Sequence, residues 1–159
     1  MQTIQILALG KCKENYLRQA CEEYEKRLSR FCRLQITELE PVSLPQNPSE
    51  KEIAAALEKE GAELLKRAKG FCIAMCIEGK QLDSPGLAKK LEQAAQGGDS
   101  GAVTFLIGSS YGLSDAVKQR ANLKLSMSAM TFPHQLARVM LLEQIYRAHK
   151  INANERYHK

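Results

Sequence analysis

Between Ala102 and Ala148 two apolar, strand-like runs each stop at a loop of small or hydroxyl residues, and the second loop opens directly into a long apolar helix. The first run and its loop read AVTFLIG then SSYGLS; the second reads LKLSMSAMTFPH and leads into LARVMLLEQIYRA. In open α/β sheets ligands bind at the carboxyl ends of the strands. This order therefore predicts a pocket made of main-chain amides and carbonyls. No glycine-rich dinucleotide fingerprint is present, and neither glycine stretch carries the Gly-Lys-Ser/Thr ending of a phosphate loop. A ligand at these strand ends is held in another way.

The rest of the chain alternates in the same manner. Thr3 to Leu9 reads as a strand ended by Gly10, Asn15 to Ser29 as a helix with Leu17, Ala20, Cys21, Tyr24 and Leu28 on one stripe, and Leu34 to Leu39 as a second strand. After a proline-punctuated loop, Pro41 to Pro48, Ser49 and Glu52 form a capping box that opens a helix to about Lys69, weakened slightly by Gly61. Phe71 to Ile77 is apolar on both faces, as expected of a central parallel strand. Ser84 and Pro85 read as the N-cap and first residue of a helix ending at Gly97 and Gly98. A strand from Ala102 to Ile107, a short helix capped by Ser114 and a strand from Leu123 to Ser128 complete the alternation. The expectation is one α/β domain over residues 1–159, with a mainly parallel sheet flanked by helices.

Around the last helix, Pro133 to Ala148, apolar residues point in nearly every direction, leaving polar only a Glu143 and Arg147 stripe and Arg138 opposite. Its own sheet is expected to cover one side, so a second subunit is expected on another, most economically in a two-fold dimer. No apolar run is long enough to span a bilayer and no signal-peptide pattern opens the chain. A cytoplasmic protein without membrane attachment is expected.

A net charge of +5 favours an anionic partner. Arg147, Lys150, Arg156 and Lys159 crowd the C-terminal end with His149, Tyr157 and His158, and the residues 152–159 read as a basic, mobile tail. Charge alone leaves open whether it is a solvated end or an RNA-contacting arm. Zinc-helix and nucleophile-elbow patterns are absent, and the three histidines do not cluster, so no metal is expected. The five cysteines lack a CxxC pair and read as buried thiols. His134, after a proline at a helix start, reads as a packing or capping residue.

Gly10, FCIAMCIEGK (71–80), LIGSSYGLS (106–114), the segment LSMSAMTFPHQLARVMLLEQIYRA (125–148) and the YHK ending together resemble the RlmH (YbeA) family of SPOUT-class methyltransferases. The resemblance covers essentially the whole chain. The most specific part is the order LIG, GLS, S-x-x-T-x-PH and a YRA helix. It implies an α/β fold with a C-terminal trefoil knot, a homodimer, S-adenosyl-L-methionine as cofactor, and methylation of N3 of a pseudouridine in 23S rRNA of the ribosome. Carried over residue by residue, it places cofactor contacts at Met75, Gly108, Met127, Ser128, Ala129, Met130, Thr131 and Phe132. The chain departs from the family at Ser109, where a second glycine is common, and before Tyr157, where a proline often stands.

A pseudouridine N3 becomes nucleophilic on losing its proton, so a base near neutrality or a cation serves the transfer. His158 is expected as base or hydrogen-bond partner and Tyr157 as the group that orients the ring. Arg138, Arg147 and Arg156 are expected at RNA phosphates or the anionic base, with an i, i+4 pair to Glu143 equally open for Arg147. Apart from the resemblance, the residues also admit a non-catalytic RNA-binding or ribosome-associated α/β protein.

Overall fold

Along the first strand, Ile4, Ile6 and Ala8 pack into one apolar cluster while Leu7 and Leu9 pack into another. That period-two alternation is what a sheet covered on both faces requires. The computed structural model describes residues 1–159. Its strands are β1 (Thr3–Leu9), β2 (Arg33–Leu39), β3 (Phe71–Gln81), β4 (Val103–Ile107) and β5 (Leu123–Ser126). The helices are α1 (Asn15–Leu28), α2 (Glu50–Arg67), α3 (Ser84–Ala95), α4 (Asp115–Arg120) and α5 (His134–Asn152), with one 3-10 turn at Asp99–Gly101.

All five strands are parallel, in the order β2-β1-β4-β3-β5. One face carries Ile4, Ile6, Ile73, Val103, Phe105 and Leu125 against α1, α3 and α5. The other carries Leu7, Cys72, Ala74 and Leu106 against Leu64 of α2 and Val117 of α4. The α2 capping box forms as the sequence predicts, Ser49 accepting from the Glu52 N–H at 3.1 Å and Glu52 from the Ser49 N–H at 3.1 Å.

Four elements differ from the sequence expectation. β3 runs on to Gln81: after Met75 pairs with Leu125 the chain leaves the ladder, and Lys80 meets Leu125 again. Gly79 makes this detour possible, since a Cβ there would lie 2.7–2.8 Å from the main chain of Lys124 and Leu125. The N-cap of α3 is Asp83, whose carboxylate accepts from the Gly86 N–H at 2.7 Å, which frees the Ser84 hydroxyl to donate to Gln144 of α5 at 2.6 Å. β5 stops at Ser126, because the following residues turn into a hydroxyl-bonded loop. Helix α5 continues a turn past Ala148, because His149 stacks on Phe31 and Ile151 packs against the core.

α5 is also better covered than expected. It lies on the sheet with α1 on one flank and α3 on the other, burying Arg138, Leu141, Leu142, Ile145, Tyr146 and Ala148. Neighbouring helices, as well as the sheet, close over its apolar sides. No helix is long and apolar enough to cross a membrane.

Candidate functional site

The C-terminal ends of β4 and β5 and the point where β3 leaves the ladder, Met75–Glu78, open into a cleft of about 600 Å³. Met75, Ile107, Leu125 and Leu141 supply apolar lining, and the two walls are the Gly108–Leu113 turn and the Met127–Phe132 loop. The first wall is a tight turn: the Gly112 N–H donates to the Ser109 carbonyl at 2.9 Å, and Gly112 has φ of +86°, where glycine is favoured. Gly108 is glycine for a different reason. A Cβ there would lie 2.2 Å from the Gly112 carbonyl oxygen.

The second wall is held by hydroxyls. Ser126 donates to the Ser128 carbonyl, and the Ser128 hydroxyl accepts from the Met130 N–H, both at 3.0 Å. The N–H groups of Ser128, Ala129, Thr131 and Phe132 take no partner within the chain. Unpartnered main-chain donors in this loop, beside an apolar floor, suit a flat heterocycle gripped by its edge.

Charge at the cleft is limited to a few groups. Lys118 of α4 pairs with Glu78, and that hydrogen bond holds the Glu78 carboxyl below its usual range and the lysine above its own. His134 also lines the cleft, and burial, with the Arg138 and Lys13 cations beside it, lowers its pKa and favours the neutral ring. Burial, then the Glu78 carboxylate, pushes the Cys76 thiol up. Cys21 and Cys32, pushed up by burial to about 12 and about 11, are inert thiols in the core.

Of the cofactor residues expected from sequence, Met75, Gly108, Met127, Ser128, Met130, Thr131 and Phe132 line this one cleft. Ala129 belongs to the same loop but is exposed and off the lining. The residues expected to be catalytic lie elsewhere. Arg138 is 3% exposed, its guanidinium paired with Glu38 and donating to the Gly10 carbonyl at 3.0 Å. Burial and pairing correct its assignment to RNA phosphates.

Tyr157 and His158 stand beside a second cleft of about 660 Å³, which His158 lines and which shares Leu125, Ser126, Met127 and Leu141 with the first. The tail is not the mobile arm expected from its composition. Tyr157 packs edge-on against Tyr146 with centroids 4.9 Å apart and donates to Glu143 at 3.2 Å. Arg147 lies over the Tyr157 ring, pairs with Glu143 at 2.6 Å, and stands 3.3 Å from His158 Nδ1. Glu155 pairs with Arg30 at 2.7 Å and with Lys150.

Sequence reasoning missed one residue that lines the cleft and one that bonds to its wall from behind. His134 reads from the sequence as a packing or capping residue, yet its place directly after the loop puts it in the lining of the cleft. Glu60 of α2 is buried and bonded to Ser109, and the one signal of it in the sequence is the adjacent Gly61, an unusual residue inside a helix.

Comparison with known proteins is consistent along the whole chain. The family model described as "Predicted SPOUT methyltransferase" matches residues 1–158. Ribosomal RNA large subunit methyltransferase H 1 of Clostridium perfringens (strain SM101 / Type A) is 50% identical over 158 residues, 98% of this chain and 99% of that protein. Ribosomal RNA large subunit methyltransferase H of Clostridioides difficile (strain 630) is 48% identical over the same shares. Among solved structures, a probable methylase family protein from Haemophilus influenzae Rd KW20 aligns with a TM-score of 0.55 at 13% identity, covering 99% of this chain and 70% of that one. At that identity the likeness concerns the fold alone.

Proposed function

The chain belongs to the SPOUT methyltransferase family, and from that membership we propose that it transfers a methyl group from S-adenosyl-L-methionine to N3 of a pseudouridine in 23S rRNA of the large ribosomal subunit. The observation that carries the proposal is the cleft at the ends of β4 and β5 and beside the detour of β3, with its apolar floor and the unpartnered main-chain donors of the Met127–Phe132 loop. Relatives about half identical over nearly the full chain bear the name of a large-subunit rRNA methyltransferase.

The residues fit the cofactor. An adenine ring needs a slot with apolar faces and main-chain groups along its edge, and the Gly108–Leu113 and Met127–Phe132 segments border such a slot. When bound, S-adenosylmethionine supplies a methyl on a sulfonium sulfur, which departs with its electron pair as a neutral thioether. The protein contributes placement, since bringing two reactants into line removes much of the barrier. His158, which lines a second cleft that shares its floor with the first, receives or hydrogen-bonds the N3 proton, and Tyr157, docked beside it on Tyr146, orients the ring. Arg138 acts from behind, fixing α5 to the sheet through Glu38.

The homodimer belongs to the same proposal. Leu136 of α5 is 37% exposed and Met140 is half-buried, and with Met130 of the preceding loop, 74% exposed, they leave apolar surface available to a second copy. The trefoil knot is part of the same proposal and rests on membership of the SPOUT methyltransferase family. A protein acting on ribosomes in this way works in the cytoplasm.

Titration calorimetry with S-adenosylmethionine and S-adenosylhomocysteine tests the proposal. One cofactor bound per chain is the expected result. A protein that binds ribosomal RNA but neither compound would instead be a non-catalytic RNA-binding protein.

A further inference from the structure

Glu60 is 5% exposed, and its carboxylate has no cation beside it. Burying a charged or polar group in this way is costly unless hydrogen bonds offset it, and here both oxygens are used. One accepts from the Ser109 hydroxyl at 3.0 Å and the other from the Val42 N–H at 2.9 Å. Ser109 opens the turn that forms one wall of the principal cleft, and Val42 lies in the proline-rich loop after β2. Gly61 explains how the helix comes close enough. A Cβ there would lie 2.4 Å from the Ser114 hydroxyl and 3.0 Å from Val117, so glycine lets α2 press against the start of α4. Ser114 in turn caps α4, accepting from the Val117 N–H at 3.2 Å. Both ends of the Ser109–Ser114 segment are therefore set by consecutive residues of α2.

We propose that Glu60 is a positioning residue of the cofactor site, holding the Ser109–Gly112 turn in the geometry that receives the cofactor. This rests on the methyltransferase reading of the cleft. The link runs through a side chain of this chain's own turn, so Ser109→Ala breaks it while leaving Glu60 bonded to Val42.

The test compares Ser109→Ala, Glu60→Ala, Glu60→Gln and the double alanine variant with the wild-type protein. It reads the affinity for S-adenosylmethionine by calorimetry and the amide exchange of residues 109–113 by mass spectrometry. Losing one such hydrogen bond should weaken cofactor binding about three- to tenfold and speed exchange in the turn. The double variant should bind no more weakly than Glu60→Ala, because both changes break one link. Glu60→Gln should recover affinity, since its amide oxygen still accepts from Val42 and its NH2 donates to the Ser109 hydroxyl. A lower melting temperature with unchanged affinity and exchange in Ser109→Ala would show a structural staple only and overturn the proposal. A wild-type protein that binds no cofactor would overturn the methyltransferase reading instead, and turn exchange in Ser109→Ala that matches wild type would still overturn the role of Glu60.

Discussion

The Arg138 guanidinium, in the second turn of α5, pairs with the Glu38 carboxylate near the end of β2, a hundred residues away in sequence. Glu38 also accepts from the Cys12 N–H at 2.9 Å, and Arg138 donates to the Gly10 carbonyl, so the pair ties α5 to the ends of both β1 and β2. This fixes the helix that carries Leu141 and Ala137 into the cleft. Removing one partner leaves the other partly buried and unpaired. Arg138→Leu should cost about 2–3 kcal/mol of stability, read by urea unfolding, and Glu38→Ala should cost at least as much, because it leaves a guanidinium only 4% exposed without its counter-charge while Arg138→Leu leaves a carboxylate about a third exposed.

The tail should contribute to stability as well as to function. Truncation before Tyr157 removes an edge-on aromatic contact with Tyr146 and the ring beneath Arg147. Loss of both should lower stability by about 1–2 kcal/mol, while Tyr157→Phe keeps the packing and loses only the hydrogen bond to Glu143. Thermal unfolding of the two variants separates these contributions. A truncated chain that melts with the wild type would show that the tail does not dock.

Stability should fall on mild acidification. Burial lowers the pKa of His149, whose Nε2 has no partner, and burial with two nearby cations lowers that of His134. A folded-state pKa below the unfolded value favours the neutral ring. The stability this reflects is fully present above the unfolded value of about 6.5 and is lost as pH drops toward the lower folded value. Melting temperatures at pH 5.5 and 7.5 should differ less in His149→Phe than in wild type, because the replacement keeps the stack on Phe31 and removes one titrating group.

Gly108→Ala should abolish cofactor binding by displacing the turn. The new methyl would meet the Gly112 carbonyl, so the wall of the cleft shifts. Calorimetry should show loss of affinity, with faster amide exchange in residues 109–113. Unchanged binding would place the cofactor away from this turn.

Self-association through α5 is tested by Met140→Asp, which puts a charge on this apolar surface while the buried Leu141 stays in place. Light scattering should give twice the chain mass for the wild type and the single-chain mass for the variant.

The fold was legible because its apolar residues alternate in strands and recur on stripes in helices, and the strand-end loops were legible because small and hydroxyl residues stop both runs. Other features depended on partners distant in sequence. Arg138 looked like a free cation, and its wheel position among Leu141, Leu142 and Ile145 was the one sign that it is buried with a counter-charge. The tail looked mobile because Tyr157 has no apolar repeat around it; its anchor is Tyr146, on the preceding helix. The β3 detour was hidden because its pairing with β5 resumes at Lys80, past polar residues that ordinarily end a strand.

The central claim is met most directly by methyl transfer to intact ribosomes whose 23S rRNA lacks the modification. With labelled S-adenosylmethionine, the wild-type protein should place one methyl per large subunit, recovered after digestion as N3-methylpseudouridine, and Gly108→Ala should place none. Label recovered on any other nucleoside, or no transfer at saturating cofactor to either ribosomes or free rRNA, would contradict it.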